Sequence, residues 1–149
     1  ADPAYLIARG MKTLELRIMR QNESALRIAR FLEAHDKVRA VHYPGLESHP
    51  GHGIARSQMS GFGGMMSFEL DGDYDKVRIL LRRLKLVHLA ASLGSVSTLA
   101  GPPRTTSHVE LTAEQRSALG IPEGLIRYSV GIEPVEDLLA DLTQALEHV

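Results

Sequence analysis

The chain has 149 residues, 44% hydrophobic and 23% charged, with a formal net charge of −1 at pH 7. That is one domain's worth of ordinary globular composition, and it gives no electrostatic reason to invoke nucleic acid or an anionic membrane as a partner. Cysteine is absent, which removes disulfides, thiolate metal sites and a cysteine nucleophile from consideration. No apolar run is long enough to span a bilayer and no signal peptide is visible, so the sequence reads as cytoplasmic.

The chain does not begin with methionine and opens directly on a helix start, as expected of a piece of a longer or processed protein. Asp2 and Pro3 fit the N-cap and first helical position of a short helix that Gly10 should end. Neither proline nor glycine interrupts residues 11–35, where Met11, Leu14, Ile18, Ala25, Ala29 and Leu32 recur on one helical face. Glu23 and Arg27, on the charged side, have the spacing of an i,i+4 pair. This helix would be roughly 37 Å long, a length suited to bracing two parts of a molecule.

Residues 38–43 read as a strand closed by Pro44 and Gly45, followed by a polar loop and a short helix to Gln58. His49 and His52 lie in that loop without a third ligand nearby, and read as surface residues rather than a metal site. The glycines at 61, 63 and 64 run into a strand pattern over 65–70, not into a helix N-terminus. Close backbone packing therefore explains them better than a phosphate cradle. Met59, Met65 and Met66 read as core filler. Asp73 can cap a helix whose buried stripe is Val77, Leu80, Leu81 and Leu84. A short strand over 86–89 then encloses His88 between apolar neighbours, the setting of a structural histidine. Thr112 and Gln115 make a capping box for a helix closed by Gly120, and Glu133-Pro134 opens the last helix.

Two places carry functional interest. Residues 124–133, GLIRYSVGIE, alternate as a strand, with Ile126, Tyr128 and Val130 on one face and Leu125, Arg127 and Ser129 on the other. A guanidinium in mid-strand cannot lose its charge and requires a partner. Either an internal acid, Glu133 or Glu136, or the carboxylate of a ligand would serve. Ser92, before Leu93 and Gly94, places a hydroxyl and free backbone N–H groups at a turn that could hold an oxyanion or be an ordinary serine turn. Strands separated by helices, four in number and short, point to an open-faced α+β domain with surface reserved for another domain.

Five collinear stretches resemble the C-terminal portion of the pyridoxal-phosphate-dependent enzymes of cysteine and methionine metabolism. They are RGMKTL at 9–14, HYPGL at 42–46 with SHP at 48–50, QMSGFGGM at 58–65, SLG at 92–94 and LIRYSVGIE at 125–133. That family includes cystathionine γ-synthase, cystathionine γ-lyase, methionine γ-lyase and the homoserine sulfhydrylases. The resemblance implies the small C-terminal domain of the aspartate-aminotransferase-type fold (fold type I), an α+β unit with a short, mostly antiparallel sheet covered by helices. Residues 1–37 would be the helical region leading from a large N-terminal domain, and residues 38–149 the substrate-binding domain. Arg127 matches the arginine that binds the substrate's α-carboxylate, Ser92 the serine that assists it, and Ser107 falls where many members have a threonine facing the site. Pyridoxal phosphate would act as electron sink while a lysine moves protons. None of Lys12, Lys37, Lys76 and Lys85 has the sequence context of the family's cofactor lysine, so the cofactor would be bound by the large domain and this chain alone would be inactive. The reaction would be γ-elimination or γ-replacement on methionine, cystathionine or an activated homoserine, by a homotetramer. A stand-alone domain that senses an amino acid through Arg127 and Ser92 is the alternative.

Overall fold

The computed structural model describes residues 2–149. Its elements are α1 (Asp2–Met11), α2 (Leu14–Glu33), β1 (Val38–His42), α3 (His52–Gln58), β2 (Met65–Leu70) and α4 (Tyr74–Arg83). They continue with β3 (His88–Leu89), β4 (Leu99–Gly101), a 3₁₀ turn (Pro103–Thr105), α5 (Ala113–Ala118), β5 (Leu125–Ser129) and α6 (Val135–Leu146). The strands form one sheet in the order β1-β2-β5-β4-β3. Only the β3–β4 pair is parallel; the other pairs are antiparallel. This is the expected α+β layering, with helices on one face of a short mixed sheet.

The period-two side-chain pattern decides which face of the sheet the helices cover. Met66, Phe68 and Leu70 of β2, with Ile126, Tyr128 and Val130, point into the core. Ala25, Ile28, Ala29 and Leu32 of α2 meet them there, joined by Val77 and Leu80 of α4 and Leu138 and Leu142 of α6. The intervening residues of β2, Met65, Ser67 and Glu69, are only half-buried on the opposite side. Two of the expected caps form, whereas Asp2, expected as an N-cap, lies inside α1. The Asp73 carboxylate accepts from the backbone N–H groups of Asp75 and Lys76, and Thr112 and Gln115 form a reciprocal capping box. Gly120 supplies the left-handed conformation that ends α5, at φ 72°.

Several expectations need correction. The helix expected over 11–35 spans 14–33, so it is about 30 Å long rather than 37 Å. The first helix does not stop at Gly10, which takes no left-handed conformation, but continues to Met11. The break falls at Lys12-Thr13, where Arg17 bonds to the Gly10 carbonyl (2.7 Å) and the Thr13 hydroxyl (3.3 Å). Only the second half of the α2 stripe is covered: Met11, Leu14 and Ile18 remain exposed. Arg27 reaches across to Glu136 of α6 at 2.6 Å instead of pairing with Glu23. The sheet has five strands because Leu99–Gly101, too short to show alternation, pairs with β5. His88 is exposed on the edge strand rather than enclosed, and among the methionines only Met66 is fully buried while Met59 is exposed.

Candidate functional site

Arg127 stands at the middle of β5 on the face turned away from the helices. In the register it lies between Ser67 of β2 and Gly101 of β4. Both neighbours are small, so neither strand presents a bulky side chain beside the guanidinium. Its Nη2 donates to the Ser92 carbonyl oxygen at 3.1 Å. No carboxylate pairs with it among the described residues. Glu136 is engaged by Arg27, and Glu133 accepts from the Thr98 backbone N–H (2.7 Å) and hydroxyl (2.8 Å). The internal-acid explanation of a mid-strand arginine thus has no acid to offer, and most of the guanidinium's donors remain free.

Ser92 does meet Arg127, but through its main-chain carbonyl, while its side chain is exposed. Ser107 lies beyond the 3₁₀ turn after β4, where its hydroxyl shares a 2.8 Å hydrogen bond with His108 Nδ1. The structure thus brings Ser92 to Arg127 and gives Ser107 a different hydrogen-bond partner.

Residues that the sequence did not single out support the Ser92 turn. The Gly94 N–H donates to the Ser129 hydroxyl (3.2 Å), and the Ile132 N–H to the Val96 carbonyl (2.9 Å). The Gly131 N–H donates to the Thr98 hydroxyl at 2.9 Å. Gln21 of α2, almost fully buried, donates from Nε2 to the Ser95 carbonyl at 2.9 Å. A Cβ on Gly131 would overlap Val96 O and Thr98 N, so only glycine permits this approach. The one available signal was periodic: Arg127, Ser129, Gly131 and Glu133 succeed one another at steps of two.

Two of the three glycines before β2, Gly61 and Gly64, are closed against their neighbours. A Cβ on Gly61 would strike Asn22, and one on Gly64 would lie 3.1 Å from Gln21 Cβ and 3.3 Å from Val130 O. Tyr43 donates its phenol to Gly63 O at 2.9 Å, and burial pushes that phenol's pKa up to about 12. The segment is therefore packed rather than open to a phosphate. His49 accepts from the Gly51 N–H and His52 bonds to Pro44 O, so both loop histidines serve the backbone. No three His, Asp or Glu side chains come together to hold a metal among the described residues. Lys37 and Lys76 give their ammonium groups to the carbonyls of Leu146 (3.0 Å) and Asp71 (2.8 Å). A cleft of about 370 Å³ lies between α4 and the β3–β4 edge, lined in part by Tyr74, Arg78, Leu81 and Ala91; neither Arg127 nor Ser92 lines it.

Comparison with known proteins matches residues 1–147 to the family model described as Cys/Met metabolism PLP-dependent enzyme. An L-methionine gamma-lyase of Fusobacterium nucleatum subsp. polymorphum is 51% identical over 146 residues, 98% of this chain and 37% of that protein. The chloroplastic cystathionine gamma-synthase 1 of Nicotiana tabacum is 49% identical over 148 residues, 99% of this chain and 27% of that protein. Among solved structures, cystathionine gamma synthase from Xanthomonas oryzae pv. oryzae in complex with cystathionine superimposes with a TM-score of 0.92 at 46% identity, over 97% of this chain and 38% of that one. The chain thus spans little more than a third of the length of these relatives, or less.

Proposed function

The chain belongs to the Cys/Met metabolism PLP-dependent enzymes, and from that membership we propose that it is the C-terminal domain of such an enzyme, holding the substrate's α-carboxylate at Arg127. The observation that carries this reading is the guanidinium's lack of an acid, on the open face of a sheet whose other face is sealed. A planar carboxylate can take paired N–H donors from an arginine, which fixes its plane as well as its position. With the carboxylate fixed, rotation about the substrate's Cα–carboxyl bond is restricted and the bonds at Cα keep one orientation. The Ser92 carbonyl orients the guanidinium, and the exposed Ser92 hydroxyl is available to the same ligand. Ser107 would border the site from the loop after β4.

Pyridoxal phosphate is the family's cofactor, and the residues of this chain do not fit it. Asn22 and Gln21 close Gly61 and Gly64 of the glycine segment, and two of the four lysines are spent on main-chain carbonyls. The proposal therefore assigns the cofactor and its lysine to a large N-terminal domain. Residues 1–37 would link to that domain and 38–149 would form the substrate-binding unit. The apolar residues Tyr5, Leu6, Ile7, Leu16 and Met19, all exposed here, support such a neighbour. In the complete enzyme we place the chain in a cytoplasmic homotetramer; no helix among the described residues is long and apolar enough to cross a membrane.

The reaction class is γ-elimination or γ-replacement on methionine, cystathionine or an activated homoserine. Relatives with different activities in their names are almost equally similar, so overall identity does not choose among them. By the resemblance, Ala91 stands where many cystathionine enzymes have glutamate, a slight lean toward a methionine γ-lyase or homoserine sulfhydrylase. In the complete enzyme, Arg127→Ala should raise the KM for the amino-acid substrate about a hundredfold. An unchanged KM would contradict the role given to Arg127. The isolated chain mixed with pyridoxal phosphate should turn over no methionine; robust turnover would contradict the domain assignment.

A further inference from the structure

The loop from Ser92 to Thr98 runs beside residues 127–133, and the two segments are joined at nearly every second residue. Ser92 O takes the Arg127 guanidinium, Gly94 N–H reaches Ser129 Oγ, Val96 O takes the Ile132 N–H, and Thr98 is held by Glu133. The last contact differs from the others in kind. Both carboxylate oxygens of Glu133 are used, one by the Thr98 N–H at 2.7 Å and the other by its hydroxyl at 2.8 Å. The same hydroxyl, fully buried, accepts from the Gly131 N–H at 2.9 Å. Hydrogen bonds with an ionised partner are roughly twice as strong as neutral ones, and Glu133 makes two of them, at 2.7 and 2.8 Å, against the single 3.1 Å bond of Arg127 to Ser92 O, so this is the firmest tie on the loop.

We infer that Glu133 is a positioning residue for the carboxylate site: by anchoring Thr98 it fixes the loop whose other end presents Ser92 O to Arg127. The chemistry requires a carboxylate. Thr98 Oγ1 already accepts from Gly131, so its proton must go to an acceptor, and an ionised oxygen at 133 always is one. A carboxamide keeps only one acceptor oxygen: in either orientation its NH₂ faces the Thr98 N–H or the Thr98 hydroxyl proton, and one of the two bonds is lost. With the anchor loosened, the loop is held only by neutral bonds at Gly94, Ser95 and Val96, and Ser92 O is held less firmly. The guanidinium then samples more rotamers, and part of the binding free energy for a carboxylate goes into ordering it.

This inference rests on the carboxylate reading of Arg127, and its test separates the two. In the complete cofactor-loaded enzyme, the affinities for L-norleucine and L-norleucinamide, which carry a methylene in place of methionine's sulfur and so have no γ leaving group, are measured by calorimetry for the parent, Glu133→Gln, Thr98→Val and Arg127→Ala. The amide lacks the anionic carboxylate but keeps the rest of the ligand. Glu133→Gln and Thr98→Val should each reduce the preference for the acid over the amide about tenfold. A purely structural role would weaken both ligands by the same factor, and that result, or no change in either, overturns the inference. If Glu133→Gln fails to fold, the nearly isosteric Thr98→Val decides alone. Loss of preference in Arg127→Ala with intact preference in the other two sinks the Glu133 role only. Intact preference in Arg127→Ala sinks the carboxylate reading and this inference with it.

Discussion

The two faces of β5 answer to different demands. On one, Ile126, Tyr128 and Val130 are sealed beneath helices, at 0%, 0% and 1% exposure. On the other, Arg127 and Ser129 meet the 92–98 loop through single hydrogen bonds, and most of the guanidinium's capacity is left over. The inner face is packed within the chain; the outer keeps guanidinium donors to spare, which the proposed function gives to a ligand. A strand allows this because its side chains alternate, so residues one position apart can serve stability and binding separately.

Substitutions that test the inner face should act on stability alone, and the largest effect is expected at its centre. Phe68 is fully buried and its ring lies 6.2 Å from that of Tyr128. Phe68→Ala should destabilise by about 3–5 kcal/mol in a denaturant titration, through lost transfer free energy and an unfilled cavity. A loss below ~1 kcal/mol would show that this face is not the core. On the outer face, Arg127→Lys keeps the charge but loses the paired planar donors. It should weaken carboxylate binding by about 2 kcal/mol and leave the unfolding midpoint nearly unchanged. A large midpoint shift with unchanged binding would reverse the assignment of the two faces.

Smaller effects sharpen the comparison at the periphery. Tyr43→Phe removes the bond to Gly63 O and should cost about 1 kcal/mol. Burial raises the Tyr43 phenol to about 12, so the folded state holds this proton more tightly than the unfolded chain. Its contribution is present below the ordinary phenol range, near 10, and is lost as pH rises toward 12. The alkaline limb of the stability profile should therefore flatten in Tyr43→Phe. Glu123 behaves oppositely. Its hydrogen bond from Arg116, aided by Arg104, lowers its pKa. Its stabilisation is present above the ordinary carboxylate range and fades as pH falls through the lowered value. Glu123→Gln should cost about 1 kcal/mol or less at pH 7 and nothing once the parent carboxylate is protonated. A pH-independent cost would remove the ionic explanation.

What the sequence made legible was whatever local pattern dictates. The alternation in 125–130, the Asp73 cap, the Thr112–Gln115 box and the last helix all stood where expected, since each rests on side-chain periodicity or a cap reaching a few residues away. Features fixed by distant contacts were not legible. Leu99–Gly101 is a strand only because β5 lies beside it, and Arg27 chooses Glu136 over Glu23 because α6 comes close. His88 is exposed because no described residue covers the sheet edge it occupies. In the site itself, Arg127 was visible as a charge out of place and Ser92 as a turn able to hold an oxyanion, which the resemblance then tied to Arg127. That their contact runs through a carbonyl, and that Glu133 serves Thr98 rather than Arg127, depends on the path of the 92–98 loop, which residue spacing does not encode.

The central claim is that Arg127 is left without an acid because a ligand's carboxylate is meant to take that place. Its most direct test compares binding of L-norleucine and L-norleucinamide, which have no γ leaving group, to the complete enzyme with and without the Arg127→Ala substitution. The account predicts that the parent prefers the acid strongly and that the variant loses this preference while its unfolding midpoint stays close to the parent's. A variant that still prefers the acid to the same degree would contradict it.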